Sequence, residues 1–244
     1  MSPTIENKPP VICVFCGAKP GNNSAYLEAA RAFGHELHKN NATLVYGGGT
    51  SGLMGEVSRT LVSLSGPHAV HGIIPEALVK VESGHKAILE SEDGVESEEF
   101  VGKAPERIVP VNSSTEKVNS EYGLTTIVSD MHTRKRMMAD KVIAGGPGSG
   151  FVVLPGGFGT LEEAMEMITW NQLGIHSVGI VLLNIDGYWD GILDWLKESV
   201  KETFVTQENS KIMVECKDVK GVLGALREYR VSEERYNLQW GKKP

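Results

Sequence analysis

Phe151-Val152-Val153-Leu154-Pro155-Gly156-Gly157-Phe158-Gly159-Thr160-Leu161-Glu162-Glu163 reads as a short apolar strand, a glycine turn and the opening of a helix. That succession is the repeating unit of an α/β sheet, and it recurs on either side. Upstream, Val11–Phe15 is an apolar run closed by Cys16-Gly17. Ser24–Lys39 follows, with Leu27, Ala30, Phe33 and Leu37 at helical spacing. Residues 42–46 give a second strand closed by Gly47-Gly48-Gly49, residues 52–64 a helix and residues 68–74 a strand. Further strands are predicted at 124–128, 151–154, 178–183 and 212–214. Helices are predicted at Met131–Ile143, 161–173, 189–200 and 219–229. The expected fold class is α/β, with a parallel central sheet covered by helices on both faces. Ligands of such sheets bind at the carboxyl ends of the strands. The turns after Phe15, Tyr46 and Leu154 all lie at that edge.

The glycines of the 155–160 turn let a ligand approach the backbone closely. The amides that open the following helix have no partner within it and favour an anion, phosphate above all. Thr160 adds a hydroxyl donor. A purely structural alternative is a capping box, with Thr160 as the cap and Glu163 reaching back, but it leaves three glycines unexplained. A carboxylate beside a phosphate turn is repelled by it, so Glu163 at that place implies a chemical task.

Met131-His132-Thr133-Arg134-Lys135-Arg136 opens another predicted helix, with Asp130 as its N-cap. Cations near a helix start oppose the macrodipole, and an anionic ligand would reverse the sign. The alternative is a solvated basic face. His132 reads as a structural or surface histidine.

Other motifs carry less. Gly47, Gly49 and Gly52 have G-x-G-x-x-G spacing, but they follow the second strand and no acidic residue closes the next one, so a turn needing close backbone approach is the better reading. Gly145-Gly146-Pro147-Gly148-Ser149-Gly150 lacks the lysine and hydroxyl of a nucleotide-triphosphate loop and reads as a mobile loop. Cys13 and Cys16, three apart on a strand, fall on opposite faces. They have no second pair for zinc, and His35 and His38 have no third ligand nearby, so no metal site is expected.

The chain has 244 residues, 41% hydrophobic and 23% charged, with a net charge of −7. That composition is globular, and its sign weighs against a nucleic-acid partner. No secretory signal and no bilayer-spanning stretch is visible, so no membrane partner is expected. The three cysteines do not form an even disulfide set, which fits a reduced, cytoplasmic compartment. Residues 80–106 are acidic and polar and read as an exposed insertion in a single domain spanning 11–231. Residues 1–10 and 232–244 are polar termini, the latter with Trp240 as a candidate to dock on the body.

Pro155–Glu163 resembles the P-G-G-x-G-T-x-x-E motif of the Lonely Guy family, the cytokinin riboside 5′-monophosphate phosphoribohydrolases, often mislabelled as lysine decarboxylases. Met131-His132-Thr133-Arg134-Lys135 resembles that family's M-H-x-R-K motif. Phe15-Cys16-Gly17, Tyr46-Gly47-Gly48-Gly49, Gly52-Leu53-Met54-Gly55, Ile168-Thr169-Trp170, Gln172-Leu173-Gly174 and Leu183-Asn184-Ile185-Asp186-Gly187-Tyr188 match as well. The resemblance implies a Rossmann-like three-layer fold and a homodimer or higher homo-oligomer with the site near the subunit interface. It implies Arg134 and Glu163 as catalytic residues. Met131, Lys135, Gly156, Gly157, Gly159 and Thr160 would surround the substrate, a nucleoside 5′-monophosphate. The implied reaction hydrolyses the N-glycosidic bond of an N6-modified adenosine 5′-monophosphate without cofactor or metal. Ala18 stands where the family usually has serine, and Thr133 where it commonly has glutamate. Two other readings stay open: a non-catalytic nucleotide or phosphorylated-cofactor binder, and a broad nucleotide 5′-monophosphate nucleosidase. Lysine decarboxylation is the weakest, since no segment suggests a pyridoxal phosphate site.

Overall fold

The computed structural model describes residues 8–82, 107–111, 114–119, 121–238 and 240. The first elements are β1 (Val11–Phe15), α1 (Ser24–Lys39), β2 (Thr43–Tyr46), α2 (Gly52–Ser65), β3 (Val70–Pro75) and α3 (Glu76–Glu82). Then come β4 (Arg107–Val111), β5 (Ser114–Asn119), β6 (Gly123–Val128), α4 (Met131–Ile143) and β7 (Gly150–Val153). The chain continues through α5 (Phe158–Gln172), β8 (Gly179–Leu183), α6 (Asp190–Lys201), β9 (Met213–Cys216) and α7 (Val222–Glu228).

The strands lie in the order β4-β5-β6-β3-β2-β1-β7-β8-β9. From β6 to β9 every pairing is parallel, which makes a seven-stranded parallel sheet, and β5 and β4 extend it by antiparallel pairing. β1 shows why the sheet is central. Ile12 and Val14 enter one apolar core, with α1, α2 and α7 above it. Cys13 and Phe15 enter the other, with α4, α5 and α6. A strand buried on both faces needs an unbroken apolar run, and β1 supplies one. Cys13 and Cys16 do fall in different cores. The three-layer architecture expected from the sequence is the one observed.

From β1 the chain builds outward to β2, β3 and β6 on one side, and from β7 to β8 and β9 on the other. The strand order therefore reverses between β1 and β7. A crevice opens at the carboxyl ends of strands where such a reversal occurs.

Three expectations need correction. The helix predicted to begin at residue 161 starts at Phe158, because Gly157 rather than Thr160 is its cap. Residues 145–150 are not a free loop. Gly146 N donates to Pro9 O, Ser149 Oγ donates to Gly146 O at 2.7 Å, and Val11 N donates to Ser149 Oγ at 2.9 Å. Those bonds tie the turn between α4 and β7 to the strand start beside it. α3, β4 and β5 were not anticipated. β4 contains Pro110, which a sheet tolerates at its edge, and β4 is the edge strand. The acidic insertion expected at 80–106 lies outside the described residues from 83 onward.

Candidate active site

The turns after β1, β2 and β7 converge at the point of reversal. Gly17 N donates to Pro155 O at 2.9 Å, and Leu53 N donates to Gly17 O at 3.1 Å. Gly52 has φ +57, and a Cβ there would lie 2.4 Å from the Ala18 carbonyl carbon. The close-approach reading of the second glycine turn is thus supported by its packing. Gly156 is crowded as well, since a Cβ would meet Thr160 Oγ1 at 2.1 Å. Gly157 and Gly159 instead border open space.

α5 begins at this turn. Its cap is Gly157, and no side chain caps it. Thr160 is the third helical residue and is buried, so the capping-box alternative does not hold. The opening amides of α5 lack intrahelical partners by geometry, which leaves a concentration of donors and a positive dipole end. Its core-facing stripe is Thr160, Glu163, Ala164, Met167 and Asn171. A carboxylate therefore occupies a position that helical periodicity reserves for apolar side chains. α4 does the same with cations, since its buried residues are Arg134, Lys135, Met138, Ala139 and Val142.

The two helices bring these charges together. Arg134 Nη2 lies 3.2 Å from Glu163 Oε1, and both side chains are only 10% exposed. Arg134 Nε donates to Ile73 O at 3.1 Å, at the end of β3. Gly47 makes room for the guanidinium, since a Cβ there would sit 2.0 Å from Arg134 Nη2. The contact with Glu163 is an ion pair without hydrogen-bond alignment, and Glu163 Oε1 is buried with no hydrogen-bond partner. Burial pushes the Glu163 carboxyl up to about 7, against the pull of Arg134. A carboxyl poised there exchanges protons readily near neutral pH.

Lys135 points elsewhere. Its ammonium contacts Glu162 Oε1 and lies 3.1 Å from Glu166 Oε2. It was expected around the nucleotide, but in this structure it joins α4 to α5. Met131 is the first residue of α4 and is exposed, with its Sδ 3.7 Å from Arg134 Nη1. His132 is exposed. Asp130 caps α4, accepting from Thr133 N at 2.9 Å and from Thr133 Oγ1 at 2.7 Å. A hydrogen bond from Ser129 Oγ at 2.7 Å, with these two, holds the Asp130 carboxyl well below the usual range. Thr133 thus serves the cap.

A cavity of about 310 Å³ lies beside the α5 start, lined by Gly156, Gly157, Phe158, Leu161, Tyr188 and Trp189 among others. A larger one, about 500 Å³, lies against α6 and the end of β9 and holds none of the residues above. It is the bigger space, but its ion pairs, Lys197 with Asp194 at 2.8 Å and Lys217 with Glu215 at 3.6 Å, lie at the surface, and no buried charge pair points to it among the described residues. Sequence reasoning named Gly47, Glu162 and Tyr188 only as members of motifs, without a role, and did not name Glu166. The i, i+4 spacing of Glu162 and Glu166 puts both on one helical face, and was the readable sign that one cation serves both. Among the described residues no group of three or more His, Cys, Asp or Glu could hold a metal ion. No described helix is long and apolar enough to cross a membrane.

Comparison with known proteins accords with this geometry. The family model described as possible lysine decarboxylase matches residues 54–226. A bifunctional cytokinin biosynthesis protein from Fusarium pseudograminearum is 44% identical over 238 residues, 98% of this chain but 44% of that protein. The chain therefore spans less than half of that relative. A probable cytokinin riboside 5′-monophosphate phosphoribohydrolase from Oryza sativa subsp. japonica is 36% identical, covering 96% of this chain and 90% of its own. A cytokinin riboside 5′-monophosphate phosphoribohydrolase from Arabidopsis thaliana is 37% identical, covering 92% and 85%. Among solved structures, the molybdenum cofactor carrier protein of Chlamydomonas reinhardtii aligns with TM-score 0.53 at 15% identity, over 91% of this chain and 98% of that one. The molybdenum cofactor binding protein of Rippkaea orientalis aligns with TM-score 0.54 at 13% identity, over 91% and 97%. Those two are likenesses of fold. The extent and identity of the sequence matches, together with the paired Arg134 and Glu163 motifs, establish that the chain belongs to the Lonely Guy family, that of the cytokinin riboside 5′-monophosphate phosphoribohydrolases.

Proposed function

We propose that the protein hydrolyses the N-glycosidic bond of an adenosine 5′-monophosphate carrying an N6 substituent, releasing the free base and ribose 5-phosphate. The observation that carries this reading is the buried Arg134–Glu163 pair beside an uncapped helix start. A protein that only held a phosphate would need the amides and the cation. It would have no use for a carboxylate raised to about 7 and left with an unpartnered oxygen.

The amides of the Gly156–Gly157 turn and of the α5 start, at Gly159 and Thr160, anchor the 5′-phosphate. Arg134 holds the phosphate or ribose by charge-assisted hydrogen bonds. As the bond from C1′ to the base lengthens, positive charge builds on the ribose, as in glycoside hydrolysis. Glu163 stabilises that charge and takes a proton from the attacking water. Hydroxide adds to C1′ as the bond to the base breaks, the base takes up a proton from solvent, and Glu163 returns the water's proton to solvent, so one water is consumed overall. Because the phosphate supplies binding energy to the reacting end, free nucleosides react poorly. The unit acts in the cytoplasm as one domain over residues 11–231, with no metal or cofactor. It acts as a homodimer or higher homo-oligomer, which would cover side chains now exposed at the site's rim, Phe158 and Met131.

The test is to incubate the purified protein with N6-isopentenyladenosine 5′-monophosphate, AMP and the two free nucleosides, and to separate the products by chromatography. Base released from the monophosphates and not from the nucleosides is the expected result. The ratio of the two rates gives the base preference. Binding of AMP with no base released from any compound would replace this reading with a nucleotide-binding role.

A further inference from the structure

Tyr188 has no part in the chemistry above, yet it touches the phosphate turn. Its hydroxyl donates to Gly156 O at 2.5 Å. The ring is fixed edge-on by Tyr26, with centroids 5.4 Å apart, and by Trp189 at 4.8 Å. The backbone that presents it is equally constrained. Asp186 and Gly187 both adopt left-handed φ, 51 and 74. Asn23 Nδ2 donates to Asp186 Oδ2 at 2.8 Å, Trp189 N donates to Asn184 Oδ1 at 2.8 Å, and Asn184 Nδ2 donates to Asp190 Oδ1 at 2.8 Å. Such a turn costs backbone freedom and left-handed strain at Asp186, and its product is a tyrosine hydroxyl aimed at one carbonyl.

That carbonyl belongs to a Gly–Gly peptide. With no Cβ on either side, the 156–157 peptide meets little steric resistance to rotation as a unit. In a planar trans peptide the C=O and N–H point in opposite directions. Half a turn would therefore exchange the amide of Gly157 for the carbonyl of Gly156 at the uncapped start of α5. A carbonyl lone pair there repels the anion that the amide attracts. The preceding carbonyl, Pro155 O, is already held by Gly17 N at 2.9 Å, so the 156–157 peptide is the link that still needs a restraint.

We infer that Tyr188 is a positioning residue, its hydroxyl locking the Gly156–Gly157 peptide with the amide turned toward the substrate's 5′-phosphate. The inference rests on the phosphoribohydrolase reading and adds a determinant of its phosphate affinity. Tyr188→Phe removes the hydroxyl and keeps the ring between Tyr26 and Trp189. KM for the monophosphate rises about fivefold to tenfold, the value of one lost hydrogen bond, while kcat stays within about twofold. Inhibition by ribose 5-phosphate weakens by the same factor, inhibition by adenine does not change, and the melting temperature is retained. A merely structural role would weaken both inhibitors together or lower the melting temperature. Either of those results, or an unchanged KM and ribose 5-phosphate inhibition, overturns the inference. Wild-type protein assayed alongside separates the two levels. If it turns over monophosphates and Tyr188→Phe matches it, the inference alone fails. If wild type neither turns over N6-isopentenyladenosine 5′-monophosphate or AMP nor binds either of them or ribose 5-phosphate in calorimetry, the functional reading fails and takes the inference with it.

Discussion

Glu163 sits where the periodicity of α5 calls for an apolar side chain, and an ionised carboxylate there loses most of its water. Its carboxyl is pushed up to about 7 from 4.5. The sign of the stability effect follows. Below about pH 4.5 both folded and unfolded chains hold the proton. Between there and about pH 7 the folded chain keeps a proton that the unfolded chain has released. Stability from this group therefore falls as pH rises through that window, by on the order of 3 kcal/mol, and is level above it. Glu163→Gln removes this slope, so its stability relative to wild type, from urea melts, grows between pH 5 and pH 7. A difference that stays flat would contradict the burial argument. Turnover runs the other way, because the carboxylate form does the work. Wild-type kcat/KM rises with pH and levels off above about 7, and Glu163→Gln loses about 10²-fold or more in turnover while still binding AMP. Glu163 was legible in the sequence as a candidate through the glycine turn before it, and Arg134 through the family motif, since the basic helix start alone left a solvated face open. Their 3.2 Å contact was not legible. It depends on Gly47, a third element's residue, whose missing Cβ admits the guanidinium.

At the scale of elements, the site is a junction between α4 and α5, and Lys135 is its fastener. Its side chain is 8% exposed, and it faces Glu162 and Glu166 across the helix pair. Lys135→Met leaves two carboxylates side by side on α5 without a cation, and costs about 1–3 kcal/mol in urea unfolding. The same cation lowers the Glu163 pKa from a distance, so its loss moves the rise in kcat/KM to higher pH. Unchanged stability together with an unchanged pH profile would return Lys135 to the role of direct nucleotide ligand. Helices and parallel strands were readable because their apolar periods are strong, and β1, α1 and α4 have the bounds that the pattern predicts. The start of α5 was misplaced because threonine with glutamate three residues on imitates a capping box, while the true cap, Gly157, has no side chain to announce it. The antiparallel pair β4 and β5 escaped for a different reason. Pro110 argues against a strand in the sheet interior, and only the sheet order, which the sequence does not display, puts that strand at the edge. The 145–150 turn was misjudged because glycine content signals permissive backbone but says nothing of the bonds from Pro9 and Val11 that hold it.

At the scale of the whole molecule, the reversal between β1 and β7 puts three glycine turns in one place, and it also leaves that place open. Phe158, the first residue of α5, is 95% exposed, and Met131 at the first position of α4 is 41% exposed. Both border the Arg134–Glu163 pair in sequence and sit at helix starts on the same side of the sheet. Covering a phenyl ring is worth about 2 kcal/mol, and a twofold contact would gain that twice. The proposed homodimer would use this rim, and a second copy would then complete the site. Phe158→Ser removes the ring without adding charge, at a position where the single chain makes no use of it. The dimer dissociation constant, from sedimentation at several protein concentrations, rises about tenfold or more for the variant. Specific activity falls with dilution in step with the dimer fraction, and returns to the wild-type value at high protein concentration. A variant that stays dimeric and fully active on dilution would move the subunit contact to another face. A wild-type protein that is monomeric and active would remove the second copy from the site altogether.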